Sequence, residues 1–487
     1  MELSLLLLPV FFISSLRCNS LPQNSPQADA FIGTSLQAVA AAHPILQNQP
    51  FILVWNMPTA NCPQRYNIHL DLGDFHIVEN KKERFQGQKM TIFYRDHLGK
   101  YPYLSRNGKK VNGGLPQLGD LASHLSLTVT QLSDLLLPDF SGLAVIDWEE
   151  WRPLWETNFG SKVEYRRLSK LLVKQEQPDL SERAVTSLAR RMFEESARKF
   201  MEETLQSAVG ERPKGFWGFY GFPTCFNKNK RKTGWSNTNV ERNDELSWLW
   251  TKSSALYPSI YLPQKLAGSA DAALMVRHRL LEALRVASGW PYHNNTDHAT
   301  PVLPYARLAF THSLKFLSKM DLEHTLGESA SLGAAGVVLW GELKFAKNKC
   351  VLLRDYVHNV LGPFVRSLRS DAERCSLQVC HGNGRCTRRH LSSGHRLSDS
   401  SKHFQKHFMC HCYQGWTGQG QCFYASSHCG WCVWGDFTFV AVLGVCSVEV
   451  VDGIDRMQLD LGEISVADPV ELRSGLGGRG PRHVSLS

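Results

Sequence analysis

The sequence contains no block of five consecutive lysine or arginine residues, although 54 basic residues against 45 acidic ones give it a formal net charge of +9. Blocks of this kind are typical of nucleic-acid-binding segments, so we predict no nucleic-acid partner. A modest positive excess suits a protein that attracts a polyanion, and it equally suits an ordinary basic secreted protein. Charge alone does not separate these two interpretations.

The sequence also lacks an apolar run long enough to cross a membrane comfortably. The apolar residues within 1–20 have the length of a secretory signal peptide, although no lysine or arginine precedes them. A short buried strand or helix is the alternative. In the 426–487 tail the apolar stretch contains Glu449 and is followed by polar sequence, which fits neither a stable membrane span nor a lipid-anchor signal. We expect a monomer of the secretory pathway, either secreted or lysosomal.

Cysteine is not scarce, and its use fits a secreted chain. There are 13 cysteines, and disulfides persist in oxidising compartments. The single acceptor sequon, Asn294-Asn295-Thr296, predicts N-glycosylation at Asn294. Cys429 and Cys432 form a CxxC pair, but no second pair lies nearby, so we interpret them as incidental rather than as a redox or metal site.

No glycine-rich phosphate turn follows the first predicted strand, where "NMPTANC" stands instead. A doubly wound open sheet usually carries such a turn, so its absence disfavours that fold. Seven short runs have the nearly continuous apolar character of strands in a parallel sheet. They cover residues 51–55, 91–94, 142–148, 216–222, 256–262, 302–308 and 336–341.

Helical patterns lie between these runs. Residues 181–208 begin with Ser181 as a candidate N-cap, residues 273–287 form a second pattern, and a shorter one precedes the last strand. The predicted apolar face of the first helix consists of Leu188, Met192, Phe200, Met201 and Leu205. Alternating strands and helices predict an α/β fold with a parallel sheet, as in a closed barrel of the TIM type.

The stretch "GLAVIDWEEWRP" ends its predicted strand in three acids. Residues i and i+2 of a strand point to the same side, so Asp147 and Glu149 should lie side by side, with Cα atoms about 6.6 Å apart. Glu150 then points the opposite way. Two close carboxylates resist joint ionisation, so one should keep its proton near neutral pH and could act as a general acid. An acid pair bridged to Arg152 is the alternative.

Aromatic side chains end the other predicted strands, where a barrel fold places its active site. These are Tyr94, Tyr220, Tyr261 and Trp340. Core packing would explain each ring alone, but together with two acids they suit a sugar-binding wall. Glycoside hydrolysis needs an acid for the leaving oxygen and a group that holds the anomeric centre. The spacing leaves inverting, retaining and N-acetyl-assisted routes open.

Several long motifs resemble the animal hyaluronidases of glycoside hydrolase family 56, in their vertebrate form. They are "GLAVIDWEEWRP", "WGFYGFPTCFN", "NDELSWLW", "ALYPSIYLP" and "GESASLGAAGVVLWG". The resemblance spans residues 51 to about 425. It implies a distorted TIM-like barrel of about seven parallel strands at 45–370 and a small, disulfide-rich EGF-like module at 371–425, followed by the 426–487 tail of unknown structure.

The resemblance implies an endo-β-N-acetylhexosaminidase that hydrolyses β-1,4 bonds of hyaluronan with retention of configuration. Glu149 would be the acid and then the base, while Asp147 and Tyr261 would hold the substrate's N-acetyl group, whose oxygen attacks. The remaining substrate-binding residues would be Tyr94, Tyr220, Arg152 and Trp340. No metal and no organic cofactor is implied. The implied disulfides are Cys62–Cys350, Cys375–Cys386, Cys380–Cys410 and Cys412–Cys422.

Two positions depart from the family pattern. The family usually has Asp where this chain has Thr224, and it has a downstream cysteine that pairs with the one at Cys225, whereas none follows here. These departures keep one alternative open, a hyaluronan-binding protein with weak or no turnover. A hydrolase that prefers chondroitin is a further alternative, since groove preference is not evident from the sequence.

Overall fold

The computed structural model describes residues 39–79, 84–225, 237–290, 298–313, 315–341, 347–400, 403–418 and 422–424. The chain divides into two compact units, Met1–His428 and Cys429–Ser487, and the described residues all belong to the first. The predicted signal segment, the glycosylation site at Asn294 and the tail, with its CxxC pair, lie outside the described residues.

Short strands, most of them parallel, form the centre of this unit. In chain order they are β1 (Ala40–Ala41), β2 (Ile52–Trp55), β3 (Ile77–Val78), β4 (Met90–Tyr94), β5 (Tyr103–Leu104), β6 (Lys110–Val111), β7 (Leu143–Asp147), β8 (Phe216–Phe219), β9 (His298–Ala299), β10 (Tyr305–Ala306), β11 (Gly336–Leu339), β12 (Gly384–Arg388), β13 (Phe408–Cys412), β14 (Trp416–Thr417) and β15 (Phe423–Tyr424). Two parallel groups carry the core, one in the order β10-β11-β2-β3 and the other in the order β4-β7-β8.

Residues 256–260 connect the two parallel groups. Tyr257 bridges Tyr220 just beyond β8, and Ser259 bridges Tyr305 of β10, both in parallel orientation. A continuous parallel ladder therefore runs from β3 to β4, as the predicted α/β class requires. The run 256–262 was expected as a strand but forms only bridges. Pro258 within it lacks the N–H that a strand ladder uses, and Pro304 likewise leaves β10 only two residues long.

Helices surround the ladder. They are α1 (Asn61–Tyr66), α2 (Leu121–Leu135), α3 (Val163–Glu176), α4 (Glu182–Glu211), α5 (Asn237–Asp244), α6 (Ser247–Trp250), α7 (Ala270–Gly289), α8 (Lys319–Leu322), α9 (Glu328–Ser331), α10 (Lys347–Tyr356), α11 (Gly362–Cys380) and α12 (Phe404–His407). A π-helical turn, Glu323–Gly327, joins α8 to α9, and another, Val357–Leu361, joins α10 to α11. Helix α11 runs without a break across residue 370, the predicted end of the barrel region.

Helix α4 begins at the predicted cap, where the Ser181 hydroxyl accepts a hydrogen bond from the Ala184 N–H at 3.3 Å. Its buried face differs in part from the expected one. Phe200, Met201 and Leu205 are buried as predicted, but Leu188 and Met192 only flank the core. The face continues instead through Val185, Ala189, Phe193 and Ala197. Alanine was a poor signal for burial in the sequence, yet its small side chain lets neighbouring helices approach closely.

Four disulfides join the pairs that the family resemblance implies. Cys62–Cys350 links α1 to α10 across 288 residues, and the other three are Cys375–Cys386, Cys380–Cys410 and Cys412–Cys422. The last three surround the antiparallel pair β12 and β13. Cys225 is a free cysteine, as its missing partner predicts.

A buried ion cluster fastens α9 to β12. Glu328 accepts hydrogen bonds from Arg388 at 2.9 and 2.8 Å and from Arg277 at 2.7 Å. Burial opposes ionisation of Glu328, but these two guanidinium groups outweigh it and hold the pKa of its carboxyl below the ordinary value. The charged form is therefore the stable one in the folded chain, and a lost partner leaves buried charge uncompensated.

We expect Glu328→Gln to lower the free energy of unfolding by about 3–5 kcal/mol, because two buried guanidinium groups lose their anion. The matched control is Glu164→Gln, which removes an exposed i,i+3 pair with Arg167 and should cost less than about 1 kcal/mol. Urea unfolding at pH 7 measures both. Equal losses in the free energy of unfolding for the two substitutions would show that the buried cluster stabilises the fold no more than an exposed ion pair does.

Candidate active site

Alternation of side chains along the parallel ladder builds the site. One apolar cluster is formed by residues that lie on one face of the ladder. Its members include Val54, Ile92, Val145, Tyr257, Tyr305 and Val338. The next position on the same face of each segment lies two residues further along the chain. We call the residues at these positions the polar layer: Asn56, Tyr94, Asp147, Ser259, Arg307 and Trp340. Tyr94 and Trp340 of this layer pack against the apolar cluster, so the polar layer covers the carboxyl end of the cluster.

Asp147 ends strand β7 in register with Tyr94, its partner on β4. Its Oδ1 atom is buried without a hydrogen-bond partner. Burial, followed by the charges of Glu149 and Glu150, raises the pKa of Asp147 to about 8. The expectation that one carboxyl keeps its proton near neutral pH therefore applies to Asp147.

Glu149 lies beyond the end of β7, so the strand periodicity that we used to pair it with Asp147 does not extend to it. Asp147 is mostly buried, whereas the Glu149 side chain is exposed and lines a cavity. Glu150 turns away to form an ion pair with Arg95, as its opposite orientation predicts. The two acids of the pair are therefore unlike, since Asp147 is partly buried and Glu149 is exposed to solvent.

Two cations hold the loop that carries Glu149. Arg152 donates from Nη1 to the Thr157 carbonyl oxygen at 2.7 Å. Lys162 donates to the backbone carbonyl oxygens of Glu149 and Glu150. Burial lowers the pKa of Lys162, and the neighbouring charge of Arg152 lowers it further. No sequence pattern singled out Lys162, which lies 13 residues from Glu149 and reaches it only through the fold.

The four predicted aromatic residues converge beside Asp147. The Trp340 Nε1–H donates to the Tyr94 hydroxyl at 3.3 Å. The rings of Tyr220 and Tyr261 have centroids 6.2 Å apart. Burial raises the pKa of Tyr220 to about 12, against the hydrogen bond with Tyr261, and burial also raises the pKa of Tyr94 and Tyr261. All three hydroxyls therefore stay protonated and can donate hydrogen bonds to a ligand.

A cavity of about 250 Å³ opens beside these residues. Its wall consists of Trp148, Glu149, Trp151, Arg152, Tyr220, Gly221, Phe222, Pro223, Thr224, Cys225, Ser259 and Arg279. Arg279, which the sequence did not single out, donates from Nη1 to the Ser259 carbonyl oxygen at 2.6 Å, while its buried Nε has no partner. Only the fold brings this α7 residue to the cavity, since its sequence context is that of any amphipathic helix.

Both departures from the family pattern, Thr224 and Cys225, lie in this cavity wall. The Thr224 backbone and the Asn243 side chain exchange hydrogen bonds at 3.3 and 3.1 Å, which fixes this part of the wall. Burial raises the pKa of the Cys225 thiol to about 12, with a further increase from Glu282. The thiol is therefore neutral at physiological pH.

Elsewhere in the described part of the chain, Cys380, Cys410 and Cys422 are the one group with the spacing of metal ligands, and every sulfur in it belongs to a disulfide.

No helix among the described residues has the length and apolar character needed to cross a membrane.

Comparison with known proteins places the chain among polysaccharide hydrolases. The family model of glycoside hydrolase family 56, described as Hyaluronidase, matches residues 40–405. Human Hyaluronidase-3 is 43% identical over 392 residues, which cover 77% of this chain and 91% of that protein. Mouse Hyaluronidase-1 is 41% identical over 408 residues, covering 77% and 87%. The crystal structure of bee venom hyaluronidase in complex with a hyaluronic acid tetramer is similar at a TM-score of 0.59 and 34% identity, covering 65% of this chain and 98% of that one.

The raised pKa of Asp147 predicts a pH-dependent stability. Between the ordinary aspartate pKa of 3.8 and the raised pKa of about 8, the folded state holds a proton that the unfolded state releases, so wild-type stability falls as pH rises through this window. Asp147→Asn removes the effect. The variant and the wild type should have similar free energies of unfolding near pH 4. As pH rises, the variant should become more stable than the wild type, by up to about 1.4 kcal/mol per pH unit.

Urea unfolding from pH 4 to 9 measures this difference. Asp139→Asn, a change at an exposed acid of the loop before β7, is the matched control and should give a stability difference that does not vary with pH. A gap between wild type and Asp147→Asn that is constant across the range would contradict a proton held by Asp147.

Proposed function

This chain belongs to the hyaluronidase family, glycoside hydrolase family 56, and from that premise we propose that it is an endo-β-N-acetylhexosaminidase that hydrolyses the β-1,4 bonds of hyaluronan. The observation that carries the proposal is the unlike acid pair at the end of β7. Asp147 is buried with an unpaired oxygen, and Glu149 faces the cavity. Retention of configuration, with the substrate's own N-acetyl group as nucleophile, is the route that the family resemblance implies.

In the first step, Glu149 donates a proton to the glycosidic oxygen as the bond from that oxygen to the anomeric carbon breaks. The N-acetyl carbonyl oxygen forms a new bond to the same carbon from the opposite face, giving a cyclic oxazolinium ion. In the second step, Glu149 takes a proton from water, and the water oxygen attacks the anomeric carbon and reopens the ring. Two inversions retain the configuration, and Glu149 recovers its proton.

Asp147 positions the nucleophile. Its Oδ1 accepts the N–H of the N-acetyl group, which points the carbonyl oxygen at the anomeric carbon. A negative charge on Asp147 is unfavourable in the empty site, as its raised pKa shows. Positive charge develops on the N-acetyl group during the first step, which strengthens the hydrogen bond from its N–H to the carboxyl oxygen of Asp147. The interaction is therefore stronger in the transition state than in the ground state, which is the condition for catalysis.

The aromatic residues and the cations form the rest of the groove. Tyr261 donates from its hydroxyl to the N-acetyl group, and the remaining rings support the apolar faces of the sugars. Those rings are Tyr94, Tyr220 and Trp340. Arg152 and Arg279 line the cavity beside Glu149, where a glucuronate carboxylate would meet a positive charge.

The fold and compartment complete the proposal. We infer that the ladder from β3 to β4 closes into the distorted TIM-like barrel of the family over 45–370, with the EGF-like module at 371–425. The bridges made by residues 256–260 support a closed arrangement. Four disulfides support a route through the secretory pathway to the cell exterior or the lysosome, because disulfides persist in oxidising compartments.

Hyaluronan binding with little or no turnover is the second candidate, and one observation favours it. Thr224 and Cys225, where the chain departs from the family pattern, both contact the cavity that Glu149 lines. Reducing-end release separates the candidates, because a binding protein retains hyaluronan without cleaving it. The same assay with chondroitin tests whether the hydrolase prefers that polymer.

We expect Glu149→Gln to lower kcat for reducing-end release from hyaluronan by about 10²–10⁴-fold, because the amide keeps the size of the carboxyl but cannot transfer its proton. The matched control is the next residue. Glu150→Gln removes an acid that pairs with Arg95 outside the cavity and should change kcat only a few-fold. Hyaluronan binding by both variants shows that they are folded.

Wild-type activity that survives in Glu149→Gln would contradict the assignment of the acid. An inactive wild type that still binds hyaluronan would support the second candidate.

A further inference from the structure

We propose that Arg307 is a specificity-determining residue, which binds the carboxylate of the uronic acid next to the N-acetylhexosamine in the groove. The inference rests on the proposed function, since it concerns the same groove. Its starting point is the position of Arg307 in the polar layer that contains Asp147.

The ladder fixes that position. Tyr305 and Ala306 of β10 pair with Val338 and Leu339 of β11, so Arg307 follows in register with Trp340. The backbone confirms the register, because the Trp340 N–H donates to the Ala306 carbonyl oxygen at 3.0 Å. Tyr305 points into the inner apolar cluster, and the residue two positions later lies on the same face at the carboxyl end.

The surroundings of the Arg307 side chain agree with a groove position. Its guanidinium carbon lies 5.5 Å from the centroid of the Tyr261 ring. Its Nε lies 3.8 Å from the point where a Cβ would stand on Gly341, the residue after Trp340. Arg307 therefore lies beside Tyr261, one of the predicted substrate-binding residues, and it is partly buried there.

The charge of Arg307 is not neutralised by an acid within the described residues, where its recorded side-chain interaction is with the Tyr261 ring. A partly buried guanidinium without an anion is unfavourable, since it has lost water without gaining a partner. Asp147 does not act as the anion for Arg307, because the raised pKa of Asp147 comes from burial and from Glu149 and Glu150, with no contribution from Arg307. The missing anion can be supplied by a ligand.

The alternating structure of hyaluronan provides that anion. Glucuronate flanks each N-acetylglucosamine, so a sugar held at Tyr261 through its N-acetyl group places a carboxylate one ring away. A guanidinium binds a carboxylate through two parallel hydrogen bonds, which favours arginine over lysine at such a position. Arg307 would then select polymers that contain uronic acid over neutral polymers of N-acetylhexosamine.

A cycle of two changes tests the proposal. One change is Arg307→Gln in the enzyme, and the other is reduction of the hyaluronan carboxylates to alcohols. Arg307→Gln alone should lower kcat/KM by about 10- to 100-fold, because it removes the charge-assisted hydrogen bonds to one carboxylate. Reduction of the carboxylates should lower kcat/KM at least as much, because it also removes those that face Arg152 and Arg279. Both changes together should lower kcat/KM no further than reduction alone, and Arg307→Lys should retain part of the activity.

Additive losses in this cycle would overturn the proposal, because they would mean that Arg307 acts through Tyr261 and not through the carboxylate. No loss in Arg307→Gln with intact hyaluronan would overturn it as well. Calorimetric binding of a hyaluronan hexasaccharide to Glu149→Gln, with and without Arg307→Gln, gives a readout independent of turnover. The second substitution should weaken binding about 10- to 100-fold. An inactive wild type would refute the proposed function, and the binding comparison would still decide the role of Arg307.

Discussion

Every second side chain of a parallel strand lies on the same face of the ladder, and the rest of this structure depends on that alternation. It separates an apolar layer, which holds the strands together, from a polar layer at their carboxyl ends. Asp147 belongs to the polar layer because Val145 belongs to the apolar one. Burial of the acid is therefore a consequence of the packing that stabilises the fold. A shift of the strand register by one residue would move every side chain of the strand to the opposite face, so the position of the site is tied to the position of the core.

Burial decides the chemistry of the acid pair. Asp147 keeps a proton because its charge would be poorly solvated, whereas Glu149, two residues later, is in contact with solvent. Under the proposed function, these two chemically similar side chains take different roles. Lys162 donates to the Glu149 backbone, Arg279 lines the same cavity as Glu149, and Arg307 lies over the Tyr261 ring. Positive charge at these places suits a polyanionic substrate better than a neutral one.

Much of this arrangement was predictable from the sequence, and the exceptions have physical reasons. Apolar runs located the strands, and the family motifs located Asp147, Glu149 and the aromatic wall. The predicted strands at 256–262 and 302–308 were longer than those in the structure. Proline removes ladder hydrogen bonds but leaves the apolar pattern of the sequence intact. Strand periodicity predicted that Asp147 and Glu149 lie side by side on one face of a strand, but β7 ends between them. Lys162 and Arg279 were missed because their sequence context is that of ordinary helix surfaces. Their role depends on contacts between distant segments.

The proposed mechanism depends most on the difference between the two acids, with a protonated, partly buried Asp147 beside a solvent-exposed Glu149. Difference infrared spectroscopy of the carboxyl stretch, with wild type compared against Asp147→Asn across pH 4 to 10, tests it most directly. The account predicts that the protonated band assigned to Asp147 persists through neutral pH and disappears with a midpoint near the value of about 8. A band that is already lost near pH 4 would show an ordinary ionised aspartate and would contradict the account.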